Sequence, residues 1–129
     1  MTLGDFVKQL SALLAQEGRK LPLKDEDPWH YLFFELKRNR EAPGRPTFLD
    51  SLIFDWDGPA PKCQELSEFI HALHWSASVS ASNPTYETIQ LSDEVIDAWQ
   101  QPVANLGDEE KLFLERAVTR AREEFPAAA

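Results

Sequence analysis

A chain of 129 residues, with 43% hydrophobic and 27% charged side chains, is long enough for one hydrophobic core and too short for two. Its formal net charge of -9 is uneven: residues 1–46 hold 8 Lys/Arg against 7 Asp/Glu, residues 47–129 hold 5 against 15, and between Thr47 and Glu110 the only cation is Lys62. A surface of this kind repels phosphate backbones and acidic membranes, so neither nucleic acid nor membrane is an expected partner.

The expected organisation is a single domain over residues 1–125 with a frayed tail at 126–129. Apolar runs are only a few residues long and the first residues lack the basic-then-apolar order of a secretory signal, so a cytoplasmic location is expected. The single Cys63 cannot form an internal disulfide, which agrees with a reducing compartment.

In chain order, Thr2 or Asp5 can cap a first helix running to about Gln16, with Phe6, Leu10, Leu13 and Leu14 on one stripe and Gly18 at its end. "RKLPLKDED" reads as a polar connection. Asp27 then Pro28 predicts a second helix, with Trp29, Leu32, Phe33 and Leu36 at i, i+3, i+4, i+7 and the basic end "KRNR" suiting the helix dipole; "EAPGRP" stops it at about Arg40. A helical turn and a strand both fit "TFLDSLIFDW"; the favoured reading is a helical turn through about Leu52 followed by an extended piece. Lys62 or Cys63 opens a third helix, with Leu66, Phe69, Ile70 and Leu73 on one stripe and Trp75 near its end. "SASVSASNPTYETIQL" predicts a β-hairpin around Asn83-Pro84. Ser92 caps a fourth helix that buries Val95, Ile96 and Trp99, and a last helix runs from about Asp108 to Glu124 with Leu112, Leu114, Ala117, Val118 and Ala121 inward. The expected class is therefore mainly α with a small β-hairpin (α+β).

The segment "SLIFDWDGPAP", Ser51 to Pro61, resembles the first motif of the haloacid dehalogenase superfamily, in which a strand delivers Asp-x-Asp-Gly-Thr to magnesium and phosphate. The resemblance implies a nucleophile at Asp55 and a general acid and base at Asp57. Pro59 stands where the phosphate-binding hydroxyl should be, and 72 residues after Asp57 leave little room for the crossover helices and later acidic pair of a parallel-sheet phosphatase. The expectation is instead a loop anchored by Phe54 and Trp56, with the aspartates as turn formers before a glycine.

The stretch "FDWDGPAPKCQELSEFIHALHWSASVSASNPTYETIQL", residues 54–91, resembles winged-helix-like proteins of phage-associated and regulatory type, in which a Gly-Pro-x-Pro loop precedes an amphipathic helix and a hairpin wing. It covers about a third of the chain and implies a winged-helix-like centre with additional N- and C-terminal helices. Winged-helix domains commonly read duplex DNA through the helix and a basic wing, which makes a DNA-binding transcription regulator the alternative reading. The helix expected here carries Glu65, Glu68 and one lysine, and the wing no Lys or Arg, so the electrostatics oppose it.

Cys63, His71 and His74 could seed a zinc site, since His71 and His74 share a helix side. No fourth ligand is evident, and histidines flanking a core stripe are the expected reading, as is packing for His30. Ser76, Ser78, Ser80 and Ser82 alternate as on a solvated strand face. No catalytic set, phosphate loop or cofactor is expected. Trp29, Trp75 and Trp99 fall on apolar helix stripes, whereas Trp56 sits in a Gly/Pro loop, where large aromatics often anchor interfaces. Asp55, Trp56 and Asp57 are therefore the candidate contact residues of a non-enzymatic interaction module. Its expected partner is a protein with a basic surface, and a homodimer through a terminal helix is a further expectation.

Overall fold

Thr2 and Asp5 close the start of α1 (Leu3–Gln16) reciprocally: the Asp5 amide donates to Thr2 Oγ1 at 3.1 Å and the Thr2 amide to Asp5 Oδ2 at 3.3 Å. Gly18, at φ 80°, turns the chain out of the helix where a side chain would be strained. Phe6, Val7, Leu10 and Leu14 are wholly buried along one stripe of α1. This computed structural model describes residues 1–23, 25–56, 58, 60–75, 88–89 and 91–125, without the side chains of His74, Trp75 and Thr88.

The described chain is mainly helical: α1, α2 (Asp27–Arg38), α3 (Gln64–Trp75), α4 (Asp93–Gln100) and α5 (Asp108–Glu124), with 3-10 turns at Thr47–Ser51 and Gln101–Asn105. Two two-residue strands, β1 (Leu21–Pro22) and β2 (Thr88–Ile89), pair antiparallel with Leu21 opposite Ile89. The stretch expected to be a polar connection thus contributes buried Leu21, Pro22 and Leu23. Its long-range partner, almost seventy residues later, is invisible to local pattern. The expected hairpin around Asn83-Pro84 lies outside the described residues, apart from Thr88–Ile89, which pairs with β1. The Pro126–Ala129 tail also lies outside them.

Helix α2 starts one residue differently from expectation. Glu26, not Asp27, occupies the cap without a capping side-chain bond, and the Asp27 amide is satisfied by Asp25 Oδ1 at 3.1 Å. The basic end Lys37–Arg38 closes the helix, in keeping with its dipole.

A single cluster runs from Leu3 to Phe125 and gathers α1, α2, α3 and α5. Phe6 is its aromatic hub, with ring centroids 5.8 Å from Phe33, 5.6 Å from Phe48 and 5.9 Å from Phe113. Trp29 is fully buried against Phe125 at 4.7 Å, and its indole N–H donates to the Pro22 carbonyl at 2.7 Å, so its one polar group is satisfied in the core. The inward stripe of α5 is Phe113, Leu114, Ala117, Val118 and Ala121, while Leu112, expected inside, is 39% exposed. On α4, Val95, Ile96 and Trp99 are only half-buried: this short helix lies on α1 from outside, with Lys8 Nζ 5.9 Å from the centre of the Trp99 ring. Gly44, at φ 73°, seats the α2–α3 connection on the start of α5; a Cβ there would lie 2.1 Å from the Glu109 carbonyl oxygen.

Candidate functional site

The segment that resembled a phosphatase motif is a loop held at both ends by α2. After the 3-10 turn the chain extends, and Asp55 exchanges two backbone hydrogen bonds of 2.8 Å with Lys62 in an isolated antiparallel bridge. Lys37 Nζ donates to the Leu52 carbonyl, and Lys62 Nζ pairs with Asp27 at the other end of α2. Arg45, largely buried, donates to Asp50 Oδ1 at 2.9 Å and to the Lys37 carbonyl at 2.8 Å, fixing the approach to the loop. Ala60 and Pro61 are buried, so the returning arm of the loop packs against the body.

Because residues 53–56 are extended, successive side chains turn to opposite sides. Phe54 and Trp56 go one way, meeting Phe34 edge-on at 5.6 and 5.2 Å. Ile53 and Asp55 go the other way, into a groove against Gln64, Glu65 and Glu68 of α3. Ile53 is 74% and Trp56 56% exposed. Asp55 and Trp56, grouped in one contact loop on sequence, therefore belong to two different faces, and Asp57 lies outside the described residues. Among the described residues the only ladder is the short antiparallel pair β1–β2, so no parallel sheet carries Asp55 toward a phosphate.

Sequence reasoning missed the polar node beneath this loop. Glu26, His30, Ser67 and His71 come together where the start of α2 crosses α3. His30 is 1% exposed, and its Nδ1 accepts the Cys63 amide at 3.0 Å, which places the proton of the neutral ring on Nε2. That nitrogen faces Ser67 Oγ at 3.3 Å and Glu26 Oε1 at 3.4 Å. Ser67 in turn donates to Glu26 Oε1, and His71 Nε2 lies 2.8 Å from Glu26 Oε2. A serine, a histidine and a carboxylate thus meet, but with the polarity of a nucleophilic triad reversed. The imidazole has no free lone pair for the Ser67 proton, because Cys63 occupies Nδ1 and Nε2 is itself a donor. The node ties two helices together.

The ionisation of the node follows from its setting. Burial holds the His30 pKa below the ordinary value, outweighing the opposing pull of the Glu26 carboxylate. Burial would raise the Glu26 carboxyl, but the bonds from Ser67 and His71, with the His71 charge, bring it below the ordinary value. The zinc candidates separate in the same way: Cys63 packs in the core, His71 turns to Glu26, and the His74 side chain lies outside the described residues. Among the described residues no three His, Cys, Asp or Glu side chains gather to hold a metal ion. A His at i paired with a Glu at i−4, as His30 is with Glu26, was the available signal for the node, and it is too common on helices to single out.

No family model, no curated protein and no solved structure matches this chain.

Proposed function

We propose that this protein is a non-enzymatic interaction module that acts by protein contact through the Leu52–Lys62 loop. The observation carrying this reading is that the loop is clamped at both ends by α2 yet presents Ile53 and Trp56 to solvent. Large apolar side chains on a loop tethered at both ends have less backbone freedom to lose on binding than those on a free loop, which suits interface anchors. The proposed setting is cytoplasmic; no helix among the described residues is long and apolar enough to cross a membrane.

The reading includes a winged-helix-like centre, with α3 in the position of the recognition helix and residues 76–91 as the wing. A DNA-binding regulator is the alternative, but the outward positions of α3 include Glu65 and Glu68, and residues 76–91 contain no Lys or Arg. Low-salt gel shift against random duplex separates the two readings, with no retardation expected. For the contact reading, affinity capture with wild-type and Trp56→Ala protein should lose the same specific partner from the variant, at little cost in thermal stability. Unchanged capture, or a variant that melts far below the wild type, would remove Trp56 as an anchor.

A further inference from the structure

Two grooves meet along α3 on the side of the loop opposite Trp56. One, about 630 Å³, has a floor of Leu3, Phe48, Leu52 and Phe69; the other, about 380 Å³, contains Ile53 and Asp55. They share Ser51, Glu65 and Glu68 and so form one continuous trough. The stripe of α3 facing it, Glu65, Glu68, Phe69 and Ala72, has i, i+3, i+4, i+7 spacing, the shape of a surface that receives another helix. Gly4 makes the floor: a Cβ there would sit 3.2 Å from the Phe69 ring, so its absence lets Phe69 lie against the first turn of α1.

The chemistry of the walls selects the occupant. Among the described residues no Lys, Arg or His side chain lines either groove, and among the described ion pairs none involves Asp55, Glu65 or Glu68. Three carboxylates therefore rim an apolar floor against one cationic group among the described lining residues, the Met1 α-ammonium of the larger groove, and Ile53, 74% exposed, stands at its edge. Basic residues lie across the strand instead, where Lys37, Arg38 and Arg40 line a separate pocket of about 300 Å³ with Phe34 and Phe54.

We infer that the trough is a docking groove for a cationic amphipathic helix of a partner protein, whose apolar face covers Ile53 and Phe69 while its Lys/Arg flanks meet Asp55, Glu65 and Glu68. This rests on the reading of the protein as a contact module and names the partner chemistry. An occupant from the adjacent segment of the same chain is disfavoured by charge, because residues 76–87 contain no Lys or Arg.

The test uses a leucine–lysine peptide patterned as an amphipathic helix, a scrambled peptide of the same composition and a leucine–glutamate counterpart, titrated calorimetrically against the full chain and mapped by amide chemical shifts. The patterned cationic peptide should bind at least about tenfold more tightly than the scramble, the glutamate peptide should not bind, and shifts should centre on α3 and residues 53–55. Glu65→Lys with Glu68→Lys, both at exposed positions, should weaken binding about tenfold or more while the melting curve stays in place. If that variant is unstable, the Gln pair should still weaken binding severalfold. Equal affinity for the scramble, indifference to the substitutions, or shifts centred on the acidic start of α5 would overturn the inference. So would self-association of the peptide-free protein abolished by the Lys pair, since the occupant would then be a second copy. Loss of the Trp56 capture result leaves this titration standing, and failure of the titration leaves the Trp56 anchor standing.

Discussion

Two tryptophans on either side of α2 show how the same residue type is put to opposite use. Trp29, in the first turn of the helix, is wholly enclosed, packed edge-to-face against Phe125 and hydrogen-bonded to Pro22. Trp56 lies over the helix's second half, touches Phe34 along one edge and leaves 56% of its surface in water. Both are held by the same element, but only the first is surrounded by the aromatic hub of α1, α2 and α5. The second is fixed by backbone and lysine contacts, which hold a loop in place without covering it. Anchoring of the backbone and burial of the side chain are therefore separable here, and a side chain on an anchored but uncovered segment is suited to meeting a partner.

The comparison can be broken experimentally, starting where the effect is greatest. Trp29→Ala removes a filled volume and a satisfied indole together, and should cost about 3–5 kcal/mol, a fall in melting temperature upwards of about 10 °C. Gly44→Ala should cost about 2–4 kcal/mol by denaturant titration, because the new Cβ would need both a left-handed backbone and the space of the Glu109 carbonyl. Trp56→Ala should cost no more than about 0.5–1.5 kcal/mol, the scale of one edge-on ring contact. A loss approaching that of Trp29→Ala would end the distinction between the two sites.

Acid should act through the node that joins α2 to α3. The folded-state pKa of His30 lies below the ordinary 6.5, so below that pH the unfolded chain binds more protons than the folded one and stability must fall. Glu26, lowered from 4.5, adds a second loss as pH falls through its folded value. Urea midpoints should therefore hold above pH 6.5 and decline below it. His30→Gln, which can still accept from the Cys63 amide, should flatten the first part of that decline while leaving the second. A variant with an unchanged pH profile would show that His30 is not held neutral by its surroundings.

Much of the helical scaffold was readable because its signals are local. The capping pair Thr2/Asp5, the Ser92 cap and the periodic stripe of α5 each specify a boundary within a few residues, and α5 runs from Asp108 to Glu124 as expected. The errors come where distant chain segments decide. Phe113 rather than Leu112 faces inward because the rotation of α5 is set by its seat against Phe6, and Val95, Ile96 and Trp99 stay half-exposed because α4 packs on the outside of α1. In the candidate site, sequence singled out Trp56 and Asp55 but placed them together. The alternation of an extended segment sends them apart, and that conformation depends on the bridge to Lys62.

What the amino-acid sequence determined by itself was a mainly helical chain with a depleted and localised stock of cations, since helix caps, apolar periodicity and charge are properties of neighbouring residues. Tertiary structure alone decided that Leu21 pairs with Ile89, that Glu26, His30, Ser67 and His71 share one node, and that Ile53 and Asp55 open onto α3 while Trp56 turns to Phe34. Each of these joins side chains from elements far apart in the chain, and only the burial of the common core brings those elements within a few ångströms of one another.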